Sequence, residues 1–150
     1  MEGCGHSIDI VTPSPAPDRG LTHVALPVSD LARSIDFYER FAEMRVVHRR
    51  TDEDEVAWLA DGTRPFVVVL IESPVSHTLG GWSHLGVACG SRADVDARLE
   101  AARTAGFAVS GPMDHGPPVG YWGIVTDPDG HNLELSYGQE VNEAAAHLST

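Results

Sequence analysis

The sequence predicts an α+β domain in which two βαβββ modules form one cupped, mixed β-sheet. Two observations predict this fold. The order strand, helix, three strands occurs twice along the chain, and each occurrence spans about 60 residues. Each occurrence also begins with an apolar run that contains one histidine, in "LTHVALPV" and in "WSHLGVAC". An internal repeat of this length indicates two copies of one unit that pack as a pseudo-symmetric pair.

The chain divides into three segments. Residues 1–20 include the proline-rich "TPSPAPDRG" and are predicted to form an extended or disordered tail. Residues 21–140 form a single domain of two modules, at about 21–80 and 81–140. Residues 141–150 form a C-terminal tail or a short helix, for which "NEAAAHL" is the candidate.

The first module begins with a strand, because "LTHVALPV" is apolar and β-branched. The segment "SDLARSIDFYERFAE" follows as a helix, with Leu31, Ile35 and Tyr38 on one face. Ser29 or Asp30 is its expected N-cap. Three further strands, "MRVVHRR", "EVAWLAD" and "RPFVVVLIES", are separated by the polar turns "TDED" and "DGT".

The second module repeats this order. After the strand "WSHLGVAC", the segment "SRADVDARLEAARTAG" is a helix with Val95, Leu99 and Ala102 on one face. Ser91 is its expected N-cap and Gly106 its expected end. "FAVSG", "YWGIVTD" and "HNLELSYG" are the remaining strands, and the segment "MDHGPPVG" is predicted to be a loop.

The charge of the chain limits its partners. The formal net charge is −12, all ten basic residues are arginines, and none follows Arg103. An acidic chain without a basic patch argues against nucleic acid and anionic membranes as partners. Neutral or cationic small molecules stay open as ligands.

Cysteines and hydropathy point to a cytoplasmic protein. The two cysteines, Cys4 and Cys89, fall in a tail and in a strand, so we expect free thiols and no disulfide. No apolar stretch approaches the roughly 20 residues of a membrane span. The N-terminus also lacks the basic and then apolar pattern of a signal peptide.

Three residues are candidate metal ligands. His23 and His84 occupy the same position in the first strands of the two modules. Glu134 lies between Leu133 and Leu135 in the last strand, so it faces away from the apolar side. A lone strand histidine is more often a satisfied core residue, and a lone strand glutamate is more often solvated. The matched histidines with a carboxylate favour a divalent-metal site with open positions for substrate.

The segments "LTHVALPVSDLARSIDFYER", "WSHLGV" and "DPDGHNLELSYG" resemble the vicinal oxygen chelate superfamily. This superfamily includes glyoxalase I, extradiol dioxygenases, methylmalonyl-CoA epimerase, fosfomycin-resistance enzymes and bleomycin-binding proteins. The resemblance covers about residues 21–140. It implies paired βαβββ modules around a metal ion, with His23, His84 and Glu134 as the ligands.

Departures from the family pattern narrow the reaction. In the family, glyoxalase I and the epimerases resemble one another in having a fourth protein ligand, which can lie in module one. Here the position of module one that matches Glu134 is about Val69 or Leu70, with Glu72 beyond it. A set of three ligands resembles extradiol dioxygenases or fosfomycin enzymes. A phosphonate substrate calls for basic side chains, so the lack of any after Arg103 makes the fosfomycin reaction less favoured.

His115 and Tyr121 are the candidate catalytic residues. The extradiol motif fits a frame of His115, "DPDG" and Glu134, but Gly123 and Ile124 stand where an apolar residue and a tyrosine belong. Tyr121 is the candidate that compensates for the missing tyrosine. His115 is either a loop histidine or, near the metal, a general base or a hydrogen-bond donor to substrate.

Six further side chains have less definite interpretations. Trp58, Trp82 and Trp122, with Tyr121, are either a wall for an aromatic ligand or ordinary core and dimer packing. His131 is expected to be exposed. His48 and His77 have no expected partner.

These observations predict a metal-dependent dioxygenase that acts on a small, catechol-like aromatic substrate. Fe(II) is the favoured metal, and Mn(II), Zn(II) or Ni(II) would also suit the ligands. A glyoxalase- or isomerase-type lyase is the second prediction, and a metal-free drug-binding resistance protein the third. A homodimer is expected, because two modules leave sheet edges that one small chain does not cover.

Overall fold

A computed structural model describes residues 20–146 and residue 148. The predicted tail, apart from Gly20, and Cys4 lie outside these residues. Among the described helices, none is long and apolar enough to cross a membrane.

The first module contains five elements. They are β1 (His23–Val28), α1 (Leu31–Ala42), β2 (Arg45–Arg50), β3 (Val56–Ala60) and β4 (Val67–Glu72). The strands form a sheet in the order β1-β4-β3-β2, in which β1 is parallel to β4 and the other pairs are antiparallel. Strand β1 therefore lies at an edge of its sheet.

The second module repeats the arrangement. Its elements are β5 (Leu85–Ala88), α2 (Arg92–Thr104), β6 (Val109–Asp114), β7 (Tyr121–Thr126) and β8 (Asn132–Tyr137). They are followed by α3 (Val141–Ala146). The sheet order β5-β8-β7-β6 leaves β5 at an edge, as β1 is in module one.

The predicted α+β repeat is confirmed, and three details differ. Within one chain the strands form two separate four-stranded sheets instead of one cupped sheet. His84 comes directly before β5 instead of inside it. Strand β6 continues to Asp114, because Met113 and Asp114 pair with β7, so the predicted loop is shorter than "MDHGPPVG".

One hydrophobic core lies between the helices and one face of each sheet. Val95, Leu99 and Ala102 of α2 are fully buried in it, as the helical periodicity predicts. Leu31 and Tyr38 of α1 are also buried, and Ile35 packs at the edge of the same core. Larger members from both sheets complete it: Leu26, Leu59, Val68, Leu70, Val125, Leu133 and Leu135.

The ends of the helices follow local hydrogen-bonding rules. Asp30 is the N-cap of α1, and its carboxylate accepts a hydrogen bond from the backbone N–H of Arg33. Ser91 caps α2 in the same way through Asp94 N–H. Gly106 ends α2 with a positive φ of 89°, a conformation that glycine adopts without strain.

The turn Asp127–His131, which contains "DPDGH", connects the two modules. The buried Asp127 carboxylate accepts a hydrogen bond from the Tyr38 hydroxyl of α1 at 2.8 Å. The Asp129 carboxylate accepts hydrogen bonds from the backbone and the hydroxyl of Ser29. We call this turn and its partners in module one the module clasp.

The prediction that His131 is exposed is wrong. His131 is 1% exposed and lies within the module clasp. Its Nδ1 accepts a hydrogen bond from Leu79 N–H at 3.0 Å, so its Nε2 carries the proton and donates to the Pro27 carbonyl at 2.8 Å. This side chain is buried because both ring nitrogens have backbone partners, and both partners belong to module one.

Candidate metal centre

His84 and Glu134 meet at the edge of the second sheet. His84 Nε2 lies 3.3 Å from Glu134 Oε2, and the Glu134 side chain is only 9% exposed. Strand β8 places Glu134 beside Gly86 of β5 and Ile124 of β7. A Cβ added to Gly86 would meet no atom within 4 Å, so space is open next to the carboxylate.

The hydrogen bonds of His84 define its tautomer. Its Nδ1 lies 2.7 Å from the carbonyl oxygen of Trp82, which only accepts hydrogen bonds, so Nδ1 carries the proton. In the neutral ring, the lone pair of Nε2 then faces the Glu134 carboxylate. Two acceptors at this distance repel unless they share a cation or a proton. A ligating histidine that donates its other N–H to a backbone carbonyl is the arrangement of metal sites, so the pair fits a divalent ion.

Gln139 holds the same carboxylate from the other side. Its side-chain amide donates a hydrogen bond to Glu134 Oε1 at 2.7 Å. This residue was not among the predicted site residues, since it follows the end of β8 and belongs to no motif that marks it. Its effect is to fix the Glu134 carboxylate so that Oε2 points at His84.

His23 does not join this pair within one chain. It is the first residue of β1 and is exposed, and its Nδ1 lies 2.8 Å from the Thr22 hydroxyl. In the part of the chain that the structure describes, no three His, Cys, Asp or Glu side chains are close enough together to hold a metal ion. Among the described residues of one chain, His84 and Glu134 therefore have no third side chain beside them that could complete a metal site.

The strand register identifies the module-one equivalent of Glu134. In module one, Val67 pairs with His23. In module two, Leu85 pairs with Leu133, so His84, one residue earlier, is level with Asn132. Two residues further along each last strand are Val69 and Glu134. Of the two residues predicted to match Glu134, Val69 or Leu70, the register therefore selects Val69. Its side chain cannot bind a metal.

Glu72 is also committed to another contact. Its carboxylate accepts a hydrogen bond from the backbone N–H of Leu31, at the start of α1, at 2.8 Å. An acidic side chain at a helix N-terminus stabilises the helix. Glu72 therefore has a structural role in this module.

His23 lies in a groove of about 570 Å³ on the open face of the first sheet. Aliphatic side chains of β3 and β4 line it, together with His48, Arg50 and Trp58. The ring centroids of His48 and Trp58 are 4.9 Å apart, so His48 has a partner that the sequence did not indicate. Arg50 places a basic group in this groove. The absence of arginines after Arg103 therefore does not leave the first sheet without a basic side chain.

The chain matches the model of the Glyoxalase/Bleomycin resistance protein/Dioxygenase superfamily over residues 20–135. It belongs to this superfamily. An uncharacterized protein of Pseudomonas aeruginosa, PA2024, is 39% identical over 133 residues, which are 85% of this chain and 95% of that protein. A putative lactoylglutathione lyase of Brassica oleracea is 35% identical over 78% of this chain. The chain matches only 44% of the length of that lyase.

Solved structures share the fold of this superfamily member. A fosfomycin resistance protein, FosX, of Listeria monocytogenes matches with a TM-score of 0.70 and 17% identity over 87% of this chain and 99% of that one. The trypanothione-dependent glyoxalase I of Leishmania major matches with a TM-score of 0.64 and 24% identity over 87% and 94%. The antibiotic-binding protein TnmS3 of Streptomyces matches with a TM-score of 0.61 and 22% identity over 80% and 96%.

The two predicted catalytic residues, His115 and Tyr121, lie on opposite faces of the second sheet. The Tyr121 hydroxyl donates a hydrogen bond to Asp96 of α2, so Tyr121 points to the helix side, away from Glu134. That hydrogen bond raises the pKa of Tyr121. Tyr121 therefore does not replace a tyrosine beside Glu134, whose neighbour on β7 is Ile124. His115 is on the face of Glu134, where it contacts Trp122.

The remaining predicted residues have varied environments. Trp122 is buried, Trp58 is partly exposed in the module-one groove, and Trp82 is 88% exposed. His77 contacts the neighbouring Ser76 hydroxyl. Cys89 is a buried free thiol just after β5, and burial raises its pKa.

Proposed function

We propose that this chain is a divalent-metal-dependent enzyme that acts on a small oxygenated molecule. The observation that carries the proposal is the pair of acceptors, His84 Nε2 and Glu134 Oε2, which face each other at 3.3 Å beside an open sheet edge. Such a pair suits a cation bound by mixed imidazole and carboxylate ligands. His84 and Glu134 of one subunit would hold the ion.

A second copy of the chain would supply His23. Both β1 and β5 are edge strands, and each has a predicted ligand at or just before its first residue. Joining β1 of one subunit to β5 of another would cover both edges and bring His23 towards His84 and Glu134. Unpaired edges are features that soluble proteins cover. This arrangement would also turn the two open sheet faces into one cup.

The residues of the proposed cup have distinct roles. A bound divalent cation supplies Lewis acidity that polarises substrate oxygens. Gln139 keeps the Glu134 carboxylate in its ligating orientation. The aliphatic floor of the module-one groove excludes water, and Trp58 offers a flat surface to a planar substrate.

Among reactions, we favour a glyoxalase- or isomerase-type conversion over ring cleavage. The 35% identity to a protein named as a putative lactoylglutathione lyase supports this choice. Ile124, instead of a tyrosine, lies beside Glu134, and Tyr121 faces away. Mn(II), Zn(II) or Ni(II) would suit this chemistry.

A ring-cleaving dioxygenase with Fe(II) is the second candidate. The count of three ligands, with Val69 at the fourth position, favours it. Oxygen uptake with a panel of catechols separates it from the first candidate. The cytoplasmic location of either enzyme stays a prediction from the sequence.

The test is metal content together with mass in solution. We expect the purified, metal-loaded protein to be a homodimer at micromolar concentration and to bind one Zn(II) or Mn(II) per subunit. Light scattering gives the mass, and elemental analysis after dialysis gives the metal. A dimer that binds neither ion, nor Fe(II) under anaerobic conditions, would contradict the proposal and favour a metal-free binding protein.

A further inference from the structure

One hydrogen bond of the second module has no part in holding the proposed ion. The indole Nε1–H of Trp122 donates to Nδ1 of His115 at 2.9 Å. The two ring planes are within 16° of parallel, and their centroids are 5.6 Å apart. Trp122 is 8% exposed, whereas His115 is exposed. The buried indole is therefore a fixed partner for the more exposed imidazole.

The chemistry of the two groups determines where His115 carries its proton. An indole N–H is only a donor, so Nδ1 of His115 must be the acceptor. The neutral imidazole then has its proton on Nε2. In this state, the accessible ring atom donates a hydrogen bond, and the atom that would accept a proton is occupied by Trp122.

The sheet register places this pair on the face of Glu134. Trp122 pairs with Ser136, and Ile124 pairs with Glu134, so these four residues share one face. Gly123, between them, faces the other way, since a Cβ there would lie 2.5 Å from Leu99 Cδ1 of α2. His115 follows β6, which is two strands from β8. Strands β6 and β8 are about 10 Å apart across the sheet, and along the strands His115 lies beyond the level of Trp122 and Ser136, on the side away from Glu134.

We infer that Trp122 is a positioning residue that makes His115 a hydrogen-bond donor to the ligand. This inference rests on the proposed function for the position of the ion. The ligand would bind the ion through two adjacent oxygens and present a third acceptor oxygen, at its far end, to His115 Nε2–H. Between the two roles predicted for His115, base or donor, the hydrogen bond from Trp122 selects the donor.

The proton position is tested first, by long-range ¹H–¹⁵N correlation of labelled histidine in the full-length protein. We expect wild-type His115 to carry its proton on Nε2 alone. Trp122→Phe keeps an aromatic ring but removes the donor, so a fraction with the proton on Nδ1 should appear. Trp58→Phe, in the other module, is the matched control and should change nothing at His115. A wild-type His115 with its proton on Nδ1, or one that Trp122→Phe does not alter, overturns the inference.

Ligand recognition is tested with two catechols on zinc-loaded protein. 4-Nitrocatechol has an acceptor oxygen opposite its metal-binding oxygens, and 4-methylcatechol has none. His115→Phe should weaken binding of 4-nitrocatechol about tenfold relative to its effect on 4-methylcatechol, as expected for one lost hydrogen bond. Trp122→Phe should give a smaller loss in the same direction.

The two hypotheses fail in different ways. Equal effects of His115→Phe on both catechols would overturn the donor role while the metal site stands. If the wild-type protein binds neither zinc nor either of the two catechols, the proposed function is wrong. The histidine spectra need no metal, so in that case they still decide whether Trp122 sets the proton position of His115.

Discussion

Combining two variants that each fail to bind metal is expected to restore metal binding. His23→Ala and Glu134→Ala should each lose the ion at micromolar concentration, since removing a ligand weakens metal binding at least as much as the roughly 10- to 100-fold loss typical of residues behind the ligands. A heterodimer of the two variants keeps one site in which His23 comes from one subunit and Glu134 from the other. That heterodimer should bind one ion, whereas the wild-type dimer binds two.

The measurement uses heterodimers purified through two different tags, with zinc counted per dimer. The reciprocal heterodimer pairs wild type with the double variant His23→Ala/Glu134→Ala, and it should bind no ion, because each of its shared sites lacks one ligand. A site built within one chain predicts the opposite for both heterodimers. His48→Ala is the matched control: this histidine lines the same groove as His23 but is not a predicted ligand, so zinc should stay at the wild-type level.

Local pattern was enough to predict most of the fold. The helical faces of α1 and α2 followed from apolar periodicity, and the helix caps followed from single polar residues before them. These features depend on neighbours within a few residues, which a sequence displays directly. The continuation of β6 from Pro112 to Asp114 was missed, because a proline followed by a Gly- and Pro-rich segment usually marks a loop.

The candidate site was only partly predictable for a physical reason. The meeting of His84 and Glu134 follows from one parallel strand pair, β5 with β8, inside one module. In the proposed dimer, the position of His23 relative to them depends on how two chains associate, which no pattern within one chain reports. Gln139 and Trp122 were missed as positioning residues because their hydrogen bonds depend on side-chain direction instead of residue type.

The burial of His131 shows how tertiary contacts override a local expectation. A histidine after a "DPDG" turn has polar neighbours, so exposure is the expected result. In the fold the turn lies against module one, where the Pro27 carbonyl and the Leu79 N–H satisfy both ring nitrogens. The same turn that resembles a family motif is thus the main polar connection between the modules.

The module clasp should make a large contribution to stability. The Asp127 carboxylate is 5% exposed and accepts three hydrogen bonds, from the Tyr38 hydroxyl and from the backbone N–H groups of Asp129 and His131. Asp127→Ala leaves these donors unpaired in a buried site. We expect a loss of about 3 kcal/mol in the free energy of unfolding, because each buried donor without a partner costs about 1–3 kcal/mol.

Tyr38→Phe removes one donor and leaves the carboxylate with two, so its expected cost is about 1 kcal/mol. Combined with Asp127→Ala it should add little, since the hydroxyl has already lost its acceptor. Burial, together with the Asp127 charge, raises the pKa of Tyr38 well above its usual range. Unfolded tyrosine ionises at about pH 10, so the wild-type protein should lose stability above that pH. Tyr38→Phe lacks this hydroxyl and should lose less stability over the same range.

Urea unfolding at one fixed subunit concentration measures these differences, because the stability of a dimer depends on concentration. Arg49→Ala is the matched control: it breaks an exposed ion pair with Glu55 at 3.6 Å and should change stability by less than about 0.5 kcal/mol. If Asp127→Ala behaves like this control, the clasp is not a connection that the fold depends on. If the loss is large, metal affinity should fall with it, since Glu134 follows the clasp by three residues and its position depends on where the turn holds β8.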